Sequence, residues 1–362
     1  MKDFLQLKMN YTYIDTPYDM IYICQDQLES QKSSTLCYCS HLLGILSAYV
    51  FPLVGGFSLI SNLLICYIFM VKYTKKSRQT IFLTCLSFYE CMFMVAYGWL
   101  WLFPAKGLPY ASHGDIYLFL INISKGTCIF IRSINRISTG LACGAFLMVC
   151  IDRFVAIYFP MKMIKYGYKS AIYSCLGMTA VVVVLSMVLN AVTQKIKMGS
   201  KIYCSPFLGY NKKMASFLLW YHVLLTGAGF LPVGLILLVN VCLIWKISKS
   251  HRITKQLIKI NSRAYQKEVK ATLIVLILSV LYLAFNFPAV ALAFVETYLQ
   301  NSKTDNEFIQ NQIQIFHNVG DIGLILSIFV ESINIFIYGA KMKPFRKEVK
   351  KLFICCKIIN GN

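Results

Sequence analysis

Three polar constellations interrupt otherwise apolar stretches of this 362-residue chain, and each has a spacing with chemical meaning. Arg132, Asn135 and Arg136 are spaced three and four apart, so a helix would carry them on one face. Two arginines on that face would recognise acidic or carbonyl groups; their bland alternative is pairing with Asp115 or Asp321. Asp152 and Arg153 stand side by side where an apolar run ends, and such a pair can neutralise itself or exchange partners. Glu90 and Glu331 are isolated acids inside apolar runs, where an ionisable group costs roughly 2.5–3.5 kcal/mol on insertion scales. Each is a candidate functional group, or else a protonated acid satisfied by its neighbours.

Cys128 opens the run that Arg153 closes 25 residues later. As a helix that run covers about 37 Å at ~1.5 Å per residue, slightly more than the ~30 Å hydrocarbon core of a bilayer. A disulfide-capable residue thus sits at one membrane face and an acid–base pair at the other.

Composition supports the membrane setting. The chain is 57% hydrophobic and 14% charged, against roughly 25% charged for soluble domains. Seven stretches are long and apolar enough to span: 42–71, 79–103, 126–150, 170–194, 214–245, 271–295 and 313–340. One alternate set of gaps (72–78, 151–169, 246–270, 341–362) holds 23 Lys/Arg and 3 Asp/Glu; the other holds 11 and 9. The positive-inside rule places the first set in the cytoplasm and the N-terminus outside. The net charge of +21 is then mostly orientation signal plus attraction to anionic lipid, and no nucleic-acid partner is expected. The organisation expected is an extracellular tail (1–41), one membrane domain (42–340) and a cytoplasmic tail (341–362). Residues 341–353 read as a short amphipathic helix in the inner interface, with Phe345, Val349, Leu352 and Phe353 on one face. Residues 1–20 lack the short apolar core of a cleavable signal, so the first span is expected to direct insertion.

Asn10 and Asn122 head glycosylation sequons, and Asn10 lies in the outer tail. Of the 14 cysteines, Cys24, Cys37, Cys39, Cys128 and Cys204 face outside, where disulfides persist. Five is odd, so one thiol stays free or pairs elsewhere. Cys128 with Cys204 is the leading pair, which would pin the loop between spans four and five over span three; pairing of either with Cys24, Cys37 or Cys39 stays open. Cys355 and Cys356 follow a basic stretch and are candidates for lipidation.

Seven spans, Cys128 and Asp152-Arg153-Phe154 resemble the rhodopsin-like G-protein-coupled receptors, and the resemblance covers residues 42–356. The family's span-one Asn maps to Asn62 and its span-two acid to Glu90, in Leu86-Ser-Phe-Tyr-Glu90. Its span-five and span-six prolines map to Pro232 and Pro288, and its span-six aromatic to Tyr282. Its span-seven Asn-Pro-x-x-Tyr maps to Asn334-Ile335-Phe336-Ile337-Tyr338. Asn286 before the span-six proline and Ile335 in place of Pro are similar to invertebrate FMRFamide-type neuropeptide receptors. The resemblance implies an all-α membrane fold: a seven-transmembrane bundle with a short amphipathic eighth helix. It also implies that Glu90 occupies the family's sodium-site acid. Glu331, one turn from Asn334, would share a proton or a cation with Glu90, Asn62 and Asn334.

Physically, Pro288 removes a helical hydrogen bond and bends span six, so Tyr282 and Asn286 beside the bend could pass ligand contacts to its inner half. If Glu268, at the start of span six, meets Arg153, that ion pair closes the inner face and its opening makes a two-state switch. Arg132, Asn135, Arg136, Asn286, Glu296 and Asp321 are the candidate ligand contacts: basic at spans three to five, acidic at spans six and seven, suited to a peptide with both signs. Asp152, Arg153, Glu268, Tyr282, Pro288, Asn334 and Tyr338 are the candidate switch residues. The expected function is a plasma-membrane receptor joining an extracellular peptide to a heterotrimeric G protein. A chemosensory receptor for a nonpeptide ligand is the alternative, and a transporter or channel fares worse because no inverted repeat is visible. No enzyme activity or cofactor is expected: His41, His113, His222, His251 and His317 are scattered, without nucleophile–base or metal-ligand spacing.

Overall fold

The computed structural model describes residues 16–26, 34–73, 77–159, 167–198, 201–205, 212–225, 230–256, 263–301 and 307–359. Asn10 lies outside these residues, as do the side chains of Glu268, Pro288, Glu296, Phe353, Cys355 and Cys356.

Apolar length dictates the architecture. A short helix α1 (Pro17–Asp26) precedes α2 (Ser34–Lys72), α3 (Arg78–Ala111), α4 (Lys125–Tyr158) and α5 (Tyr168–Val192). Then come α6 (Lys212–Leu225), α7 (Phe230–Gln256), α8 (Arg263–Asn301), α9 (Glu307–Lys341) and α10 (Lys343–Ile359). Among the described residues, seven helices are long and apolar enough to cross a membrane, within α2–α5 and α7–α9. The fold is therefore an all-α seven-transmembrane bundle followed by an amphipathic helix. Between α5 and α6 lie two antiparallel strands, β1 (Gln194–Met198) and β2 (Lys201–Ser205), in a stretch that sequence alone marked only as a loop.

Local chemistry sets where the spans begin. Ser77 and Ser124 cap α3 and α4: each hydroxyl accepts from a backbone N–H three residues on, at 3.2 and 3.0 Å. The reciprocal bonds to Thr80 and Thr127 are 2.9 and 2.8 Å. Two orphan donors are thereby satisfied at each helix start. Several helices outrun their apolar runs, and in two of them the extension repositions cysteines or charge. The helix of span one starts at Ser34, so Cys37 and Cys39 lie inside it. Span two continues past Phe103 to Ala111, through i→i+5 turns over Met94–Gly107 that accommodate Pro104. Proline has no N–H for the regular ladder, so widened turns let the helix pass it. The last helix extends to Ile359 rather than 353. Its Phe345 is fully buried, with ring centroids 5.4 Å from Phe69 and 5.9 Å from Tyr338.

The core divides along the bundle. An inner cluster gathers Ile65, Leu86, Phe146, Val149, Tyr338 and Phe345. An outer cluster gathers Phe51, Phe93, Trp101, Cys128, Ile131 and Ile328. Asn62, Glu90 and Asn334 each fall, along their own helices, between residues of the two clusters. A polar band is thereby sandwiched between two apolar layers, where its members must satisfy one another.

Candidate functional site

The outer third of the bundle is fixed covalently. Cys128, in the first turn of α4, bonds Cys204 of β2, and Cys24 of α1 bonds Cys37 of α2. Cys39 is a free thiol, the odd member of the outer five. Cys204 pairs in register with Lys195 of β1, whose ammonium donates to the Asn122 carbonyl at 2.6 Å. The hairpin is thus tied to the start of α4 at two points. Asn122 is itself 9% exposed, which leaves its side chain little access for a glycan.

On α4, Arg136 is buried and donates to the Asn190 amide oxygen and, at 3.5 Å, to the Thr193 hydroxyl, both at the end of α5. Arg132, one turn outward, places its guanidinium carbon 4.8 Å from the Trp101 ring centroid, a cation–π geometry. Asn135 lies between them, and its side-chain oxygen has no hydrogen-bond partner among the described residues. The wall is therefore built from α4 with support from α3 and α5.

The opposite wall differs from the sequence reading, which counted Asp321 among open rim acids. Asp321 of α9 is buried and accepts from the Lys106 ammonium and from the Tyr97 hydroxyl at 2.8 Å, both on α3. His317 Nε2 lies 3.8 Å away. Lys106 is 1% exposed. Its charge looked like a loop charge because the apolar run stops at Phe103; the widened turns carry it inward instead. Glu296 belongs to α8, but its side chain lies outside the described residues.

In the polar band, Asn334 Nδ2 donates to both carboxylate oxygens of Glu90, at 3.2 and 3.1 Å. Asn62 Nδ2 reaches Ser58 Oγ at 3.4 Å, while its Oδ1 has no hydrogen-bond partner among the described residues. Glu331 is buried, and its Oε2 is likewise without a hydrogen-bond partner there. Glu331 shares the lining of a small cavity with Thr139, Cys143, Tyr282 and Asn286. Asn286 Nδ2 bonds Ser327 Oγ at 2.7 Å and the Tyr282 carbonyl at 3.0 Å, joining α8 to α9. Tyr282 stacks on Phe146 of α4, with centroids 4.5 Å apart. These residues come from five different spans.

At the inner end, Asp152 accepts from Arg153 beside it and from Arg78 at the start of α3. Arg78 also donates to Ser170 Oγ at 3.3 Å, at the start of α5. Sequence reasoning missed Arg78, which it counted only as a topology charge. The side chain of Glu268, the expected partner of Arg153, lies outside the described residues. Tyr338 is fully buried against Phe69, with centroids 5.8 Å apart.

The arrangement can bind at its outer wall, hold charge at its centre and rearrange ion pairs at its inner end. It has no metal-ligating cluster of three or more His, Cys, Asp or Glu among the described residues. No curated protein matches the chain significantly. The sequence profile described as 7 transmembrane receptor (rhodopsin family) matches residues 61–337, well over half of the chain. With seven spanning helices, a capped span three and an acid–base pair at its inner end, the chain belongs to the rhodopsin family of seven-transmembrane, G-protein-coupled receptors.

Proposed function

We propose that this receptor binds a short peptide at its outer end and activates a heterotrimeric G protein at its inner end, in the plasma membrane with the N-terminus outside. Family membership already makes it a multi-pass membrane receptor rather than an enzyme. The finer reading rests chiefly on the arginine wall: Arg136 is buried, at 8% exposure, and the half-buried Arg132 lies over the Trp101 ring. Such a wall suits carbonyl or acidic groups of a ligand. Asn135, between the two arginines, keeps an amide oxygen available for a donor. The similarity of Asn286 and Ile335 to FMRFamide-type receptors points the same way, toward amidated peptides. Asp321 and Glu296 are the acidic contacts of this reading; Asp321 would engage a ligand by exchanging Lys106 for a ligand cation.

Ligand contacts would reach the interior through Asn286 and Tyr282, which bridge α8 to α9 and α4, with Pro288 as the bend. Binding shifts an equilibrium between packed and open inner halves. Arg153, Asp152, Glu268, Asn334 and Tyr338 are the residues that would repack. In the centre, Glu90 and Glu331 would share one proton or hold one sodium ion with Asn62 and Asn334. The orphaned oxygens of Asn62 and Glu331 fit a hard cation, which takes oxygen donors. Asn10 is the proposed glycan acceptor, and Cys355 and Cys356, on the basic helix α10, the proposed lipid anchors.

The deciding experiment expresses the receptor in cells with a G-protein reporter and applies a library of amidated peptides. Saturable responses that Arg136→Gln weakens support the reading. Responses only to nonpeptide odorants would transfer the assignment to a chemosensory receptor, and substrate uptake without reporter activity would overturn it.

A further inference from the structure

A second cavity, of about 360 Å³, opens beside α1 and away from the arginine wall. Its volume falls within the ~300–1,000 Å³ of small-molecule sites. Four tyrosines and two histidines line it: Tyr18 and Tyr22 of α1, His41 and Tyr49 of α2, Tyr110 of α3 and His113 just beyond. Among the described residues no lysine or arginine lines it, in a chain of net charge +21.

Several features of the backbone exist to seat these rings. A Cβ on Gly44 would come within 2.2 Å of the Tyr110 ring, and one on Gly114 within 2.3 Å of Tyr18. Gly114 has φ +83°, and His113, which is not a glycine, has φ 51°. Non-glycine residues in that region carry a conformational cost that surrounding structure must hold in place. Tyr110 is oriented by its hydroxyl, 3.0 Å from His41 Nδ1. The Tyr49 ring stands nearly perpendicular to it, at 77° and 6.2 Å between centroids. The lid helix α1 is tethered by the Cys24–Cys37 disulfide and by the Tyr117 hydroxyl, which donates to Asp19 at 2.8 Å.

Position tells what reaches the cavity. Tyr49, Leu53, Phe57, Ile60, Leu63 and Tyr67 are all exposed and recur every three or four residues along α2. That stripe is the lipid-facing side of the span, and Tyr49 stands at its end nearest α1. Tyrosines at that depth belong to the headgroup level of a bilayer. Walls of mutually tilted tyrosine rings, without lysine or arginine among the described residues, attract a bulky, weakly hydrated cation through the ring faces.

We propose that this cavity binds a trimethylammonium group, presented as the choline headgroup of a phosphatidylcholine molecule in the adjoining leaflet. Tyr49 and Tyr22, both exposed, would form its outer wall, with Tyr110 and Tyr18 as the floor. The proposal is independent of what the arginine wall binds.

The test uses the full-length receptor in nanodiscs made from equal parts phosphatidylcholine and phosphatidylethanolamine with identical chains. After transfer to mild detergent, the lipids retained are counted by native mass spectrometry. Cation–π contacts of ~0.5–2 kcal/mol correspond to about 2- to 30-fold preference. Phosphatidylcholine should therefore be retained severalfold over phosphatidylethanolamine. Tyr49→Leu and Tyr22→Leu, which change exposed side chains, should each erase most of that preference, while Tyr49→Phe keeps it. Displacement by free choline chloride would show that soluble quaternary ammonium ions also enter; retention despite choline would assign the site to lipid alone. Equal retention of the two lipids, or an unchanged preference in both leucine variants, would overturn the proposal.

Discussion

Arg78 clamps Asp152: its Nη2 and Nε donate to one carboxylate oxygen at 2.8 and 3.1 Å, joining the start of α3 to the inner end of α4. Asp152 is thereby shared between two guanidiniums, because Arg153 takes its other oxygen. In the proposed switch, Arg78 would be the fixed partner of Asp152 and Arg153 the moving one. If Arg153 leaves, Arg78 keeps Asp152 compensated, so that release does not leave the buried Asp152 carboxylate without a cation.

Removing the fixed partner should therefore be felt. Arg78→Ala leaves Asp152 with Arg153 alone, and Arg153 then has less freedom to leave. Arg78 is 17% exposed at its side chain, so the loss falls below the ~3–5 kcal/mol of a fully buried pair, at about 1–2 kcal/mol. The purified variant should melt at lower temperature than the parent, and agonist should gain less signal from it. Unchanged melting and signalling would show that the clamp carries neither burden.

The Lys106–Asp321 pair makes a sharper case. Both side chains are buried, with 1% and 8% exposure. Lys106→Met leaves the Asp321 carboxylate with Tyr97 and His317 as its remaining partners among the described residues, which should cost about 3–5 kcal/mol and reduce surface expression. Lys106→Met combined with Asp321→Leu removes both charges and should recover most of that loss. A double-mutant cycle on thermal stability reads the coupling directly; simple additivity of the two changes would dismiss the pair.

These two ion pairs also mark what the sequence could not disclose. Seven spans were legible because length and apolarity are local properties, and Cys128 with Arg153 measured a bilayer by counting residues. The Cys128–Cys204 bond was also legible as the leading pair of outer cysteines, and the family resemblance marked Glu90 and Asn334 as members of one polar site. Partners chosen across the bundle were not. Lys106 looked like loop charge because helix α3 outruns its apolar stretch through widened turns at Pro104. Arg78 looked like orientation signal, and Asn190 and Thr193 looked like an ordinary span end until Arg136 was placed against them. The aromatic cavity joins three separate stretches of chain, so no single stretch announces it.

Docking of α1 should depend on pH. The Tyr117 hydroxyl donates to Asp19, and burial first, then the Asp19 carboxylate, push its phenol above the ordinary range. A raised value in the docked state means the proton is held more tightly there. The contribution is complete below the free phenol's pKa of about 10 and is lost as pH rises from there toward the raised value. A spin label on α1 should stay immobile from neutral pH to about pH 10 and loosen above it. Tyr117→Phe should remove the titration while leaving α1 held by its disulfide. Titration that persists in Tyr117→Phe would assign the effect to another group.

The central acids provide the most direct test of internal chemistry. Asn334 presents its amide hydrogens to both oxygens of Glu90, while Glu331 is the acid whose Oε2 lacks a hydrogen-bond donor among the described residues. Two adjoining buried carboxylates cannot both hold a bare charge, and the proposed site would place one proton or one cation between Glu90 and Glu331. Agonist affinity titrated with sodium chloride against an N-methyl-glucamine control separates the two. If sodium is held, affinity falls as sodium rises in the parent, and the response flattens in Glu331→Ser because one oxygen donor pair is gone. If a proton is shared, sodium has no effect, and affinity instead changes with pH in the parent but not in Glu331→Gln, which keeps the shape without the titratable group. A parent receptor insensitive to both sodium and pH would mean that the pair is structural, and Glu331→Gln would then bind agonist as the parent does.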